Sequence, residues 1–404
     1  MIHFAFLTPE FPTNSPSSGG LATFAGRITR SLVAKGYCVD VFLPAESPST
    51  EDWFGVNVFN VQIPPYQASL WNRGPGSWWG RISSEGLERT LHSARFLANA
   101  LEKKHAVDAY NYVHGADFGL TTYFVRPAPN RRVVVRASSR SELCRHWMGS
   151  SNRLEHFLLT RAEHRLFRQA DLAYAPSECT AKFYWERAGV DMKVIRPPVE
   201  ISFDSAAQLD FDLPHRFLLH FGNINRVKGS DWLARALAIA WKSAPDLQMV
   251  WAGTDLQGWL PRFQLRWGSH ASKVTWLGPI PRTQIRSIVR KAVAVVSPSR
   301  VDNLPNTVLE AQADRIPVIG TWSSSIDEIV VDSVTGKLVE IDDDNSLAEA
   351  MISAWKGYPP FNSQCPIPPI FDLLKPELAV QNLLDYINAT KAAPKTGGEL
   401  RASV

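Results

Sequence analysis

A chain of 404 residues is long for a single hydrophobic core, so its length favours two domains. A hydrophobic content of 45% and a charged content of 20% are typical of a globular protein and exclude a disordered or fibrous chain. The formal charge of +4 favours anionic ligands or an anionic membrane face, but it is too small to indicate nucleic-acid binding.

The cysteines and the N-terminus both favour a cytoplasmic protein. The four cysteines lie far apart and lack the spacing of a metal site, which predicts reduced thiols. The first residues, MIHFAFLTPEF, have no basic region and no cleavage site, and we interpret them as a buried strand. No apolar run approaches the roughly 20 residues that a membrane-spanning helix needs.

The first half of the chain alternates predicted strands with predicted helices. The strands are predicted at His3–Thr8, Cys38–Leu43, Asp108–Val113, Arg132–Val135, Leu172–Pro176 and Lys193–Arg196. A loop and helix are predicted over Gly19–Lys35, and an amphipathic helix over Asn152–Gln169. The pair Pro197-Pro198 continues neither element type and predicts an interdomain linker.

The second half repeats the alternation. Its strands are predicted at Arg216–Phe221, Gln248–Ala252, Lys273–Leu277, Ala292–Val296 and Pro317–Ile319, with helices between them. Strands that alternate with helices indicate a doubly wound parallel sheet in each half. A proline-rich extended segment, Gly357–Ile370, precedes a last helix at Pro376–Ala389, and the tail 391–404 is predicted to be disordered.

The most informative segment begins at Pro298, where two acidic residues, Asp302 and Glu310, stand eight positions apart. Between them a turn opens a short helix, whose N-terminus offers free amides and a positive dipole end to a diphosphate. Pro305 has no N–H, so the predicted phosphate donors around Asn303 are the amides of Leu304, Asn306 and Thr307. Asp302 is equally well interpreted as a turn cap, and a solvated helix residue is the alternative for Glu310.

This pattern resembles the acidic-x7-acidic signature of retaining glycosyltransferases of family four, with Asp302 where the family usually has Glu. The resemblance implies the GT-B fold, in which two Rossmann-like domains face a cleft. Residues 1–197 would form the acceptor domain, completed by a returning helix at 372–390, and residues 198–371 the donor domain. The two carboxylates would accept hydrogen bonds from the donor sugar and its ribose.

Other motifs match the family in the same order. Gly19 and Gly20 follow the first strand and open a helix, where the backbone can approach a phosphate or sugar closely. The loop from Gly222 to Lys228 resembles the family's Gly-Arg-x4-Lys-Gly loop, so Lys228 would neutralise the leaving diphosphate. Asn223 occupies the family arginine position, and Arg226 is the predicted substitute.

Two further motifs lie near the expected nucleotide. Gly253 and the segment Leu277–Ile280 resemble the edges of the base pocket. The segment Ser324–Ile329 replaces the family's Gly-Gly-x-Pro-Glu-Ile and retains only Glu328 and Ile329.

The first domain departs from the family pattern at the position of its catalytic group. The family usually has a His where this chain has Ala137, and His114 ends the neighbouring predicted strand. His114 is therefore the candidate that would face the donor, with a turn-capping role beside Asp117 as the alternative. Arg136 and Arg140 are predicted to lie near anionic groups of the donor or the acceptor. In the front-face mechanism proposed for the family, the departing phosphate takes the acceptor proton.

The loop Pro64–Arg81 contains three tryptophans and two arginines. Aromatic rings stack on sugars and also lie well at a lipid interface, so the loop indicates either an acceptor surface or peripheral contact with the inner face of a membrane. The alternative is a small satellite core.

Together, these features predict a metal-independent enzyme without a cofactor that transfers a hexose from a nucleotide diphosphate sugar to a glycan or lipid-linked acceptor of a surface polysaccharide. Two alternatives are a sugar-nucleotide epimerase on the same fold and a non-catalytic module that binds a sugar nucleotide or a partner. The acidic run at 342–344 is interpreted as a solvated loop and not as a metal site.

Overall fold

The computed structural model describes residues 2–13, 19–67, 85–126, 128, 130–149, 152–199, 208–255, 257–362 and 364–389. Within them the chain forms two parallel sheets, each covered by helices, and the fold predicted from the sequence is confirmed. The predicted disordered tail at 391–404 and the tryptophans Trp71, Trp78 and Trp79 lie outside the described residues.

The first sheet has eight strands in the order β3-β4-β2-β1-β5-β6-β7-β8. The strands are β1 His3–Leu7, β2 Cys38–Ala45, β3 Ser49–Trp53, β4 Val56–Gln62, β5 Tyr112–Ala116, β6 Arg132–Arg136, β7 Leu172–Ala175 and β8 Lys193–Val194. Every neighbouring pair is parallel except β3 with β4 at one edge. The strand order reverses between β1 and β5, which creates a crevice at their carboxyl ends.

The second sheet has six parallel strands in the order β11-β10-β9-β12-β13-β14. The strands are β9 Leu218–Phe221, β10 Met249–Ala252, β11 Val274–Gly278, β12 Val295–Val296, β13 Val318–Thr321 and β14 Gly336–Val339. This is the strand order of a dinucleotide-binding sheet, and its reversal between β9 and β12 creates a second crevice.

Helices cover both sheets. They are α1 Gly20–Ala34, α2 Glu85–His105, α3 Ser141–Met148, α4 Arg153–Gln169, α5 Glu178–Ala188, α6 Ser230–Ala240, α7 Leu260–Trp267, α8 Arg282–Val289, α9 Asn306–Ala313, α10 Asp344–Lys356 and α11 Pro376–Ala389.

Each sheet has its own hydrophobic core. Helix α11 packs on the first sheet, where Val380, Leu383 and Ile387 join the core around Phe4. The chain therefore returns to the first domain after completing the second. The domain boundaries at 197 and 371 stay predictions.

The structure corrects several details of the element prediction, among them strand β14 Gly336–Val339, which was not predicted. The strand predicted at Asp108–Val113 runs from Tyr112 to Ala116, because the chain enters the sheet four residues later. Strands β3 and β4 form an antiparallel edge that the predicted strand-helix alternation did not include. Among the described residues no helix is long and apolar enough to cross a membrane.

Candidate active site

A cavity of about 650 Å³ lies between the two domains. Its walls come from the carboxyl ends of β1, β5 and β6 on one side, and from the segment 301–307 after β12 on the other. Both walls are therefore built where the strand order of each sheet reverses, which is the position at which open α/β sheets bind ligands.

Two helix N-termini meet across this cavity. Helix α1 begins at Gly20 and helix α9 at Asn306, and a β-carbon placed on Gly20 would lie 3.8 Å from the side-chain Nδ2 of Asn306. The first-turn amides of a helix have no intrahelical acceptor, and its dipole favours negative charge there. Thr307 also lines the cavity. The arrangement therefore suits an anionic ligand between the domains.

Lys228 and Asp302 form an ion pair on the second-domain wall, with 2.6 Å between Nζ and the carboxylate. Both residues line the cavity. The backbone amide of Lys228 donates to Asn225 Oδ1 and the other Asp302 oxygen accepts from the Asn303 amide, so the loops on either side are held in place. The pair thus presents an ammonium beside the start of α9.

The structure gives Asn303 and Leu304 roles that differ from the predicted one. The Leu304 amide, predicted to bind phosphate, instead donates to Ser325 Oγ at 2.8 Å, and this contact contradicts the predicted assignment. The Asn303 side chain bridges the domains: its amide donates to the carbonyls of Ala137 and Ser138, and its oxygen accepts from the hydroxyls of Ser177 and Thr180. Asn306 and Thr307 remain the donors that the structure leaves facing the cavity.

The glycines of the nucleotide loops adopt backbone conformations that other residues avoid. Gly222 and Gly253 follow β9 and β10 with φ values of 134° and 146°. A β-carbon on Gly253 would lie 1.8 Å from the Gly222 carbonyl oxygen, so the two turns pack backbone to backbone. Neither glycine lines the cavity described here, and their part in nucleotide binding stays a prediction.

Arg226 and Glu310 lie near the site but outside the wall of the cavity. Arg226 is exposed, and its guanidinium lies close to Gly149 of the first domain. Glu310 is half-buried, one turn inside α9. The substitution of Arg226 for the family arginine and the binding of ribose by Glu310 both stay predictions.

His114 does not reach the cavity, and its predicted catalytic position is wrong. It is buried in β5, its ring stacks on Phe6 at 4.5 Å between centroids, and Nε2 shares a hydrogen bond of 2.8 Å with the Tyr174 hydroxyl. Burial, together with the charge of Arg136, lowers the pKa of His114 to about 3. The alternative of a cap beside Asp117 is not found either. The sequence predicted that His114 ends its strand. In the structure His114 lies two residues before the end of β5, and its side chain faces the core.

Asp117 occupies the place on the cavity wall predicted for His114. It accepts hydrogen bonds from the Ser138 amide and hydroxyl and from the Tyr184 hydroxyl, and burial raises its pKa despite them. The prediction had treated Asp117 only as a possible partner of His114. Its position directly after β5, at the reversal of strand order, is the signal that would have found it.

An ion pair between Arg145 and Glu163, at 2.6 Å, also contributes to the first-domain wall. Both residues lie on helices, and nothing in the local sequence distinguishes them from charged residues that are exposed on a helix surface. Among the described residues no group of acidic, His or Cys side chains is arranged to hold a metal ion.

Contacts between the domains surround one side of the cavity. The Arg140 guanidinium donates to the carbonyls of Ser323 and Asp302 at 3.0 and 3.1 Å. The Glu328 carboxylate accepts from the amides of Glu178 and Cys179, which belong to the first turn of α5. The sequence matched Glu328 to a residue of a family motif, and the structure shows that its carboxylate caps a helix of the other domain.

Two Rossmann-like domains facing a ligand-sized cleft define the class: the protein has the GT-B architecture of glycosyltransferases. The profile described as "Glycosyl transferases group 1" matches residues 215–356, and that of the "Glycosyl transferase 4-like domain" matches residues 19–198. The chain belongs to this family and is a GT-B glycosyltransferase that transfers a sugar from a nucleotide sugar. Family membership favours a transferase over the epimerase and the non-catalytic module.

Curated relatives match most of the chain at low identity. It is 25% identical over 358 residues to a D-inositol 3-phosphate glycosyltransferase of Nocardiopsis dassonvillei, covering 81% of this chain and 80% of that protein. It is 26% identical over 249 residues to the lipopolysaccharide core biosynthesis mannosyltransferase LpcC of Rhizobium leguminosarum, covering 56% of this chain and 68% of that protein.

Solved structures share the fold over nearly the whole chain. Sucrose-phosphate synthase of Thermosynechococcus elongatus superposes with a TM-score of 0.76 at 19% identity, covering 97% of this chain and all of that one. Anabaena HepE in complex with UDP and glucose superposes with a TM-score of 0.65 at 17% identity, covering 96% of this chain and 100% of that one.

Proposed function

We propose that this protein is a retaining, metal-independent hexosyltransferase whose donor diphosphate binds between Lys228 and the start of α9. The observation that carries the proposal is the Lys228 ammonium held by Asp302 beside the first-turn amides of Asn306 and Thr307. A fixed cation and a helix N-terminus together stabilise the charge that develops on a leaving diphosphate.

The wall opposite supports a mechanism in which the leaving phosphate takes the acceptor proton. His114 is buried behind this wall, and the oxygens of Asp117 accept hydrogen bonds from Ser138 and Tyr184. The protein then contributes position and charge stabilisation, and an acceptor hydroxyl attacks on the same face that the diphosphate leaves. This route accounts for retention without a cofactor, a metal or a protein base.

The acceptor is proposed to be a glycan or a lipid-linked intermediate of a surface polysaccharide or glycoconjugate. The lipopolysaccharide mannosyltransferase among the relatives supports this acceptor class. We place the reaction in the cytoplasm, in peripheral contact with the inner face of the membrane. No cofactor is required besides the nucleotide sugar.

The test is incubation of the protein with a panel of UDP-, GDP- and ADP-sugars, followed by measurement of the released nucleoside diphosphate. One donor class should be hydrolysed slowly without an acceptor, and chelation of divalent metals should leave the rate unchanged. The anomeric configuration of the first-formed sugar, read by proton NMR, should match that of the donor. Failure to bind any nucleoside diphosphate would refute the donor site, and an inverted product would refute retention.

A further inference from the structure

Arg136 stands apart from the other cationic residues of the cavity. It ends β6, an interior strand of the first sheet, and only 5% of its surface is exposed. It lines the cavity, and its Nε has no hydrogen-bond partner. Among the residues that the structure describes, no acceptor or carboxylate is bonded to its guanidinium.

Other buried arginines of the chain are bonded within the protein. Arg131 pairs with Glu102 at 2.8 Å, and Arg300 pairs with Asp231 at 2.7 Å and also with Asp342. Arg140, on the same cavity wall, donates to backbone carbonyls of the second domain. A buried charge without a partner is costly, so Arg136 needs a compensating group from another source.

The surroundings of Arg136 supply only part of that compensation. Asp117 is the carboxylate whose charge acts on it, but the Asp117 oxygens already accept hydrogen bonds from Ser138 and Tyr184. The Phe24 ring covers one face of the guanidinium, with 4.0 Å between the ring centroid and the central carbon. Such a stacked guanidinium keeps its N–H edge for the two oxygens of a phosphate or carboxylate.

The position of Arg136 distinguishes an acceptor from the donor. The proposed diphosphate contacts, Lys228 and the start of α9, belong to the second domain, whereas Arg136 lies on the first-domain wall. Arg27, one turn beyond Phe24 in α1, adds another positive charge to the same wall.

We infer that Arg136 binds a negatively charged group, a phosphate monoester or a carboxylate, on the acceptor substrate. This rests on the proposed function, since it assumes that the donor occupies the second-domain wall. A neutral acceptor would leave a buried guanidinium uncompensated, so the site selects anionic acceptors.

The experiment compares glucose 6-phosphate, glucuronate and glucose as probes, by calorimetric titration in the presence of the saturating nucleoside diphosphate. At least one charged probe should bind 10-fold or more tightly than glucose. The preference for one of them identifies the phosphate or the carboxylate as the recognised group. In Arg136→Met the preference for the charged probe over glucose should fall by roughly 10–100-fold, the scale of a charge-assisted hydrogen bond. Arg136→Lys keeps the charge without the planar fork, so its preference for the charged probe should lie between those of the parent and Arg136→Met.

The matched control is Arg132→Met, at the opposite end of β6 and outside the cavity wall, which should retain the preference. Arg136→Met should keep the affinity for the nucleoside diphosphate and melt at the same or a higher temperature, because a buried unpaired charge is removed. Equal binding of the three probes, an unchanged preference in Arg136→Met or an equal loss of nucleoside diphosphate affinity would overturn the inference. If the parent binds no nucleoside diphosphate, the donor site fails, while the three-probe comparison without nucleotide still tests Arg136.

Discussion

Single residues around the cleft fall into two groups according to where their polar atoms are bonded. Asn303 and Arg140 are bonded to the opposite domain, so they hold the walls together. Lys228 and Arg136 face the cavity with charge that a ligand can reach. The sequence predicted Lys228 because its place between a strand and a helix is informative. It did not predict the bridging role of Asn303, because backbone carbonyls of a distant segment leave no signal in the residues near it.

Replacing Lys228 tests the donor site directly. Lys228→Ala removes the ammonium and leaves the Asp302 carboxylate facing the diphosphate, so nucleoside diphosphate affinity should fall by roughly 10–100-fold. Lys228→Arg should retain most of the binding because it keeps the positive charge. Calorimetry with the nucleoside diphosphate measures both. Lys242→Ala, at an exposed position of the same domain, is the control, and equal affinity in both alanine variants would contradict the role of Lys228.

The burial of His114 predicts a pH-dependent stability. The unfolded chain takes up a proton on this ring near pH 6.5, whereas the folded protein does so only near its pKa of about 3. The free energy of unfolding should therefore fall as pH drops below about 6.5, with a slope of up to about 1.4 kcal/mol per pH unit from this residue. His114→Gln removes the titration and should flatten the slope in urea unfolding between pH 6.5 and 4.5.

The same substitution at the exposed His146 is the matched control. An identical slope in the parent and His114→Gln would show that His114 is protonated in the folded protein.

At the scale of elements, most strands were predictable because a short apolar segment is bounded by turn residues, but β4 and β14 were not predicted. The prediction for the last helix, Pro376–Ala389, is confirmed residue for residue. The prediction started β5 four residues too early because Asp108 to Asn111 directly precede an apolar pair. The sheet register that excludes these four residues depends on pairing with the neighbouring β1. Pairing across a sheet is tertiary information, and the residues of one segment do not contain it.

Helix α5 shows how one element depends on the other domain. Its first-turn amides are capped by Glu328 at 3.0 and 2.9 Å, and the same carboxylate pairs with Arg196 at 2.5 Å. Glu328→Ala removes both contacts and should lower the free energy of unfolding by about 1–3 kcal/mol. Chemical denaturation measures the loss. Glu349→Ala, on the exposed face of α10, is the control, and equal stability of the two variants would show that the cap contributes nothing.

At the scale of the whole molecule, the two domains are joined by a linker, by α11 and by contacts between their surfaces, such as Arg300 stacked on the Trp147 ring of α3. Hydrogen bonds from Asn303, Arg140 and Glu328 join the two domains beside the cavity. The sequence predicted the two domains and the cleft, because strand-helix alternation and motif order are local patterns that repeat along the chain. It did not predict which surfaces meet, since that depends on the relative placement of loops that are more than 100 residues apart.

Arg140 is the residue through which this arrangement is best tested. Its guanidinium donates to two backbone carbonyls of the second domain and to the Cys179 sulfur, so Arg140→Met removes these donors and leaves the carbonyls without them. Coupling between the domains should weaken by about 2–4 kcal/mol. In scanning calorimetry the less stable domain should then melt at a lower temperature, separated from the more stable one. Arg153→Met, at an exposed position of α4, should leave the trace unchanged. Superimposable traces of Arg140→Met and the parent would mean that the domains are coupled through other contacts.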